Sequence, residues 1–455
     1  MLIKKFANIQ PQKFFVIIAL FFGIFYAYFT PLFQGPDEPS HFLSISRLSN
    51  GYLRANFENG SFGTRADQGS LELFNYVPNL AGQSKYNYAD QIERLLKIKP
   101  DNESSAFITS VGAAYSPASY LPYIITFKIM SIARVNPFII FILLRLVGLF
   151  IWVWLTYVAI KIIPKGKWIM TTLALLPMTL FISSVISADT LTNALLFLVV
   201  SMVFFAISKP KEVSKKYLLV LFGAVIMLGI SKQTFFIVSL LIFAVPKPDY
   251  ISKKMYYAAI ILTIVSCATL SICWQVFIGN WSVSPIPGVS PGAQMKFLVS
   301  RPLSAIKVLW NTFLPTGSNS IYISFIGVLG LIDVSLPIWI TFGWVIALFK
   351  SLGTVKKNAV SILNRWQKGI FISISLLLAS AMLLGLYLTW TPVGGGSIQG
   401  IQGRYLIPVF AILIPVFVSR KNEPALLTRR YLMAGLLFLE IATAVVFAAR
   451  YVQIL

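Results

Sequence analysis

Asp37 and Glu38 stand side by side in GPDEPSHF (residues 35–42), with a proline on each side and His41, the only histidine of the chain, one helical turn beyond Asp37. A helix cap would use one carboxylate and one proline, but not two acids, two prolines and a histidine. A carboxylate held at a bilayer boundary is costly and therefore a functional candidate. Partly desolvated, it could serve as general base toward a sugar or lipid hydroxyl. His41 reads first as a hydrogen-bond partner on a helix face. SADTLTN (residues 187–193) places Asp189 and Asn193 one turn apart at a span mouth, where Ser187 or Asp189 could equally cap the helix.

Cations and amide donors come from two further stretches. SKQTFF (residues 231–236) sets Lys232 and Gln233 between two short apolar runs. Such a lysine either snorkels to the interface or reaches toward a phosphate. TPVGGGSIQGIQGR (residues 391–404) carries five glycines with Gln399, Gln402 and Arg404. A flexible turn with an anchoring arginine is the plain account. The glycines also free the backbone for close approach to a ligand, and an arginine at the start of a helix suits an anion, so the stretch fits a phosphate or sugar clamp. GxxxxGK[ST] is missing, so ATP chemistry has no support.

These stretches must be positioned by membrane helices. Hydrophobic residues make up 57% of the chain, charged ones 12%, and mean hydropathy is +0.78, too much apolar surface for a soluble domain. Apolar runs predict an all-α membrane protein of about eleven spans near 14–33, 138–160, 168–187, 191–207, 217–231, 234–246, 255–277, 336–350, 369–390, 405–419 and 431–450. The first run is too long for a cleaved signal and is expected to stay as an anchor. Cys267 and Cys273 fall on different helix faces and predict neither a disulfide nor a metal site.

The formal charge of +23 reads as anchor charge rather than as nucleic-acid binding. With the N-terminus inside, more than half of the 38 Lys and Arg fall in inner loops, against three of the 15 acids. That bias puts all four chemical stretches outside. Five parts follow: residues 1–33 (tail and first span), 34–137 (a large outer loop with nine of the acids), 138–277 (spans), 278–335 (a second outer loop) and 336–455 (C-terminal spans with the glycine-rich loop 391–404). Phe42, Ile45 and Leu48 recur opposite Ser40, Ser44 and Arg47, predicting a helix lying on the membrane surface. Residues 115–133, with Pro117, Pro122 and Lys128, predict a re-entrant or surface-lying helix.

GPDEPSHF, YSPASYLPY, LALLPMTLFISSVISADTLTNAL, SKQTFF and IQGIQGRYLIP, in that order, resemble a bacterial family of polytopic membrane proteins known as a domain of unknown function, over nearly the whole chain. That family in turn resembles the C-type glycosyltransferases. The resemblance implies an inverting transfer of a sugar from a polyprenyl phosphate, at the outer face of a bacterial cytoplasmic membrane, to a cell-envelope glycan or lipid-linked acceptor. Asp37 or Glu38 would match the first-loop carboxylate, Asp189 the second acid, and Lys232 and Arg404 the cations on the donor phosphate. Tyr115, Tyr120 and Tyr123 would line the path from lipid. No cofactor is implied with certainty. The DxD pattern of metal-dependent members is missing, which weakens the case for a divalent metal but leaves room for one assembled from two loops. The alternatives are a flippase of lipid-linked sugars and a surface-polysaccharide polymerase or ligase.

Overall fold

A computed structural model describes residues 9–58, 61–78, 86–101, 105–109, 115–279, 286–314, 321–353, 361–418 and 424–452. The chain is mostly helical. Among the described residues six helices are long and apolar enough to cross a membrane: Pro11–Phe29, Pro137–Ile162, Ala188–Ser208, Lys253–Ile278, Arg365–Thr389 and the one ending at Tyr451. The other five expected spans form shorter helices. Residues 168–187 break into Lys167–Ala174 and Pro177–Ser183, because a proline cannot donate to the ladder and biases the residue before it away from helix. Lys215–Ser231, Gln233–Ala244, Ile338–Ser351 and Leu406–Phe417 complete the set. Gln233–Ala244 is a 3₁₀ helix, whose rise of about 2.0 Å per residue stretches a short segment further.

Ala188–Ser208 lies at the centre, buried along nearly its whole length, while Lys253–Ile278 and Arg365–Thr389 keep most of their surface outward. Its neighbours include Pro137–Ile162, Lys215–Ser231 and Leu406–Phe417. One core runs through these helices, and a second lies under the first long loop around Phe33, Phe42, Tyr120 and Phe141.

The two ends of the bundle differ. A cleft at one end is lined by Pro11, Gly166, Lys167, Trp168, Ser351, Leu352 and Arg429, joining four of the segments expected on the basic side. The opposite end carries the first long loop. It contains a three-stranded antiparallel sheet, Asn56–Glu58, Ser61–Asp67 and Ser105–Thr109 in that order, and the helix Tyr88–Leu96. Asn136 pins this loop down: its side chain caps Pro137–Ile162 through Phe138 and Ile139 and donates to the carbonyls of Leu95, Leu96 and Ile98.

The helix after Pro39 forms, as Glu38–Ser49, but it does not lie on a membrane surface. Phe42, Ser44, Ile45, Ser46 and Arg47 are all buried, because the loop folds over the face that sequence periodicity assigned to water. Arg47 turns back onto the carbonyls of Tyr52 and Leu53. Residues 115–133 form a short turn, Pro117–Tyr120, and the helix Leu121–Ile132, too short to cross at 1.5 Å per residue. Its Tyr123 and Phe127 pack inward while Leu121, Ile125, Ile129 and Ile132 stay exposed, the face expected of a helix at the lipid boundary.

Candidate functional site

Asp37 follows the first span by a tight turn and takes a left-handed backbone, φ 58°, which Asp tolerates better than most residues. It occupies the cap position of Glu38–Ser49 without making the cap bond. Its carboxylate pairs instead with Arg404, 367 residues away in sequence. Arg404 also faces Asp189 at 3.7 Å, and Asp189 pairs with Lys232. Four residues from four separate stretches thus form one chain of charges, Asp37–Arg404–Asp189–Lys232.

Each is delivered by the end of a helix. Ser187 accepts from the Asp189 backbone N–H at 3.1 Å and starts Ala188–Ser208. Lys232 follows the last residue of Lys215–Ser231, whose final carbonyls are held by Ser116, 2.5 Å from Ile230 O, and by Ser119. That bond pair seats Tyr115 against the ammonium, 5.1 Å from ring centre to Nζ. Arg404 stands just before Leu406–Phe417, where Gly403 passes so close to Ile321, Ser324 and Phe325 that a Cβ would strike their backbone.

Aromatic rings wall the cations. Tyr405 lies 5.9 Å from Lys232 and 5.4 Å from Arg404, within cation–π reach. His41 Nδ1 is 2.7 Å from the Tyr120 hydroxyl, and its ring lies 5.8 Å from that of Tyr115. Burial pushes the His41 imidazole down to about 4 against the pull of Asp37 and Asp189, so it is neutral near pH 7. Burial works on Asp37 in the opposite sense, but Arg404 outweighs it and holds the carboxyl below its usual range. Lys232, which burial alone would depress, is raised by Asp189.

The site is polar, mostly buried and open on one side. Arg404 is 3% exposed in its side chain while Asp37 is 52% exposed. Arg404 Nε and Nη1 are buried without a hydrogen-bond acceptor, so part of the guanidinium's donor capacity is unspent within the protein. Among the described residues no three His, Cys, Asp or Glu side chains are grouped to hold a metal ion. The two acids of the site each face a cation, and this donor set fits a divalent ion poorly.

Glu38 turns the other way. It is fully buried and bidentate with Arg145, at 2.8 and 2.7 Å, and accepts from Gly35 N–H at 3.1 Å and Ile186 N–H at 3.0 Å. Arg145 spends its remaining donors on the carbonyls of Ala27, Thr30 and Pro31. Asn193 is buried one turn deeper than Asp189, and Gln233 follows Lys232, half-buried. Neither Gln399, which is exposed, nor Gln402 is tied to the charge chain by any described contact. Backbone groups of the glycine-rich loop are spent on neighbours: Gly394 N–H donates to Gln294, Ile398 N–H to Thr312 and Gly403 N–H to Ser324. Tyr405 is the residue that sequence reasoning missed, although it directly follows Arg404 in QGRYLIP.

A model described as "Predicted membrane protein (DUF2142)" matches residues 20–413. The chain belongs to the DUF2142 family. Each of the four charges in this DUF2142 protein falls inside the matched range. No curated protein and no solved structure matches the chain.

Proposed function

We propose that this protein is a membrane-embedded glycosyltransferase that moves a sugar from a polyprenyl phosphate to a cell-envelope glycan or lipid-linked acceptor. The observation that carries this reading is Arg404: a buried guanidinium with unused donors, flanked by a second cation and by an accessible carboxylate. Phosphate recognition wants the first two, and acceptor activation wants the third. Asp37 takes the role of base rather than Glu38, whose oxygens are already held by four donors. At rest Asp37 is a weak base because Arg404 stabilises its charged form. A donor phosphate that takes over the guanidinium releases Asp37 and raises its basicity, so the base is armed only when donor is bound. As the phosphate departs from the sugar, Arg404 and Lys232 stabilise its growing charge.

The same reading places the basic end of the bundle in the cytosol and the site outside, in a bacterial inner membrane, by the charge bias of the loops. On this reading the five short helices would complete the eleven spans expected from the sequence, the layout that the resemblance to C-type glycosyltransferases implies. One observation favours the flippase alternative: Glu440 is fully buried within the last long helix, beside Tyr26, where a transporter would keep an ionisable group.

The test is sugar transfer in membranes containing Asp37→Asn. Loss of roughly 10²–10⁴-fold is expected for a general base, at normal protein abundance. Unchanged transfer by Asp37→Asn sinks the assignment. A ladder of lipid-linked products in place of one added sugar would point to the polymerase.

A further inference from the structure

Beside the glycine-rich loop, Pro291–Ser300 and Pro302–Phe313 form two helices joined at Arg301–Pro302. Their buried positions, Gln294, Val308 and Thr312, face the rest of the protein, where Gln294 and Thr312 accept from the loop and Asn311 donates to Gly396 O at 2.9 Å. On the outer face Val299 (76%), Leu303 (79%), Ile306 (66%) and Trp310 (65%) are exposed, and Met295 and Leu314 extend the stripe at each end. Leu303, Ile306, Trp310 and Leu314 fall on one side of the second helix by their spacing of three and four. Monomeric proteins rarely show water so continuous an apolar face.

Charge identifies what covers it. Residues 291–314 contain Lys296, Arg301 and Lys307 and not one acid, and all three cations are exposed. An apolar stripe with a tryptophan, bordered by cations alone, is the composition of a helix that lies in the headgroup region of an anionic bilayer. Neither helix is long enough to cross.

We propose that Pro291–Phe313 is an interfacial anchor that beds into an anionic phospholipid surface at the site's end of the bundle. Because the glycine-rich loop is bonded directly to these helices and leads straight into Arg404, the anchor also sets the depth of Arg404 against the headgroups. This rests on the exposed apolar stripe and its cations and stands whether or not the site transfers sugars.

The test uses the full chain with Leu303→Cys, in a Cys273→Ala background that removes the exposed native thiol, labelled with bimane. The protein is reconstituted with phosphatidylcholine, with or without phosphatidylglycerol, and with lipids carrying a nitroxide near the headgroup or at the chain end. Shallow nitroxide is expected to quench more strongly than deep, and phosphatidylglycerol to increase the effect. Lys296→Gln/Arg301→Gln/Lys307→Gln is expected to lose that increase. Arg301→Gln alone, with an unchanged gel-filtration profile, is the fallback should the triple variant misfold. A label that neither nitroxide quenches, together with free reaction of the unlabelled Leu303→Cys variant with a charged aqueous maleimide, overturns the proposal. So does cross-linking of residue 303 to a second copy or to another protein, which would make the face a protein contact. Sugar transfer is not read out, so failure here leaves the catalytic reading standing and the reverse.

Discussion

Asp37 and Glu38 are neighbours in sequence and opposites in structure. Glu38 ends in a closed arrangement: a bidentate arginine, two backbone donors and no exposure. Asp37 ends in an open one, half in solvent, sharing an arginine that has donors to spare. A saturated ion pair has nothing left to offer a ligand, whereas an unsaturated one keeps part of its bonding capacity for something not yet bound. The first holds four pieces of chain together: the end of the first span, the turn at Gly35, the middle of Pro137–Ile162, and the approach to Asp189 through Ile186. The second uses the frame this creates.

The comparison is most sharply broken at the closed pair. Glu38→Gln leaves Arg145 buried and uncompensated, at a cost of about 3–5 kcal/mol, seen as a fall in thermal midpoint and in folded yield. Glu38→Leu combined with Arg145→Leu should recover much of that, since an apolar pair restores balance. Asp37→Asn should leave the midpoint nearly unchanged. If it unfolds the protein as badly as Glu38→Gln, the division between frame and site fails.

Arg404→Met probes the open side. Transfer should fall by roughly 10²–10³, the usual consequence of removing one preorganised donor from a developing charge. Arg404→Lys keeps charge but not the fork and should recover only part.

His41 offers a pH test that needs no assay. Its imidazole is held near 4 in the folded protein against 6.5 when unfolded, so the unfolded chain binds the extra proton first as pH falls. The His41 contribution to stability is therefore full above about pH 6.5, declines toward about 4 and is flat below, a loss of roughly 3 kcal/mol by linkage. With one histidine in the chain, labelled-histidine NMR reports a single titration without assignment. A midpoint near 6.5 would place His41 in water and contradict its burial.

The smallest effect is expected at Tyr405. Tyr405→Leu removes the ring facing both cations and should weaken donor binding by about 0.5–2 kcal/mol, while Tyr405→Phe keeps the ring and should bind normally. A phenylalanine variant as poor as the leucine one would assign the work to the hydroxyl.

Much of this was legible in the sequence, because hydropathy and loop charge are local quantities summed over a segment. Apolar runs marked the six long helices and the five shorter apolar segments, though not loop helices such as Tyr88–Leu96 or Pro302–Phe313. The alternation of basic loops with acid-bearing ones predicted that Asp37, Asp189, Lys232 and Arg404 would share one end. They do, and within contact of one another. Lengths were less legible: Pro177 split one expected span, and the 3₁₀ course of Gln233–Ala244 could not be told from an α-helix by composition. The surface helix after Pro39 was misread because periodicity reports that two faces differ, not what covers the polar one.

What the residues alone determined is that this chain lives in a membrane and carries its charged groups where helices end, since transfer free energy depends only on which side chains a segment contains. The tertiary structure alone decided which of two adjacent carboxylates is locked and which is available. That choice turned on a left-handed backbone at Asp37 and on arginines 107 and 367 residues away, and no local pattern encodes partners brought together by packing.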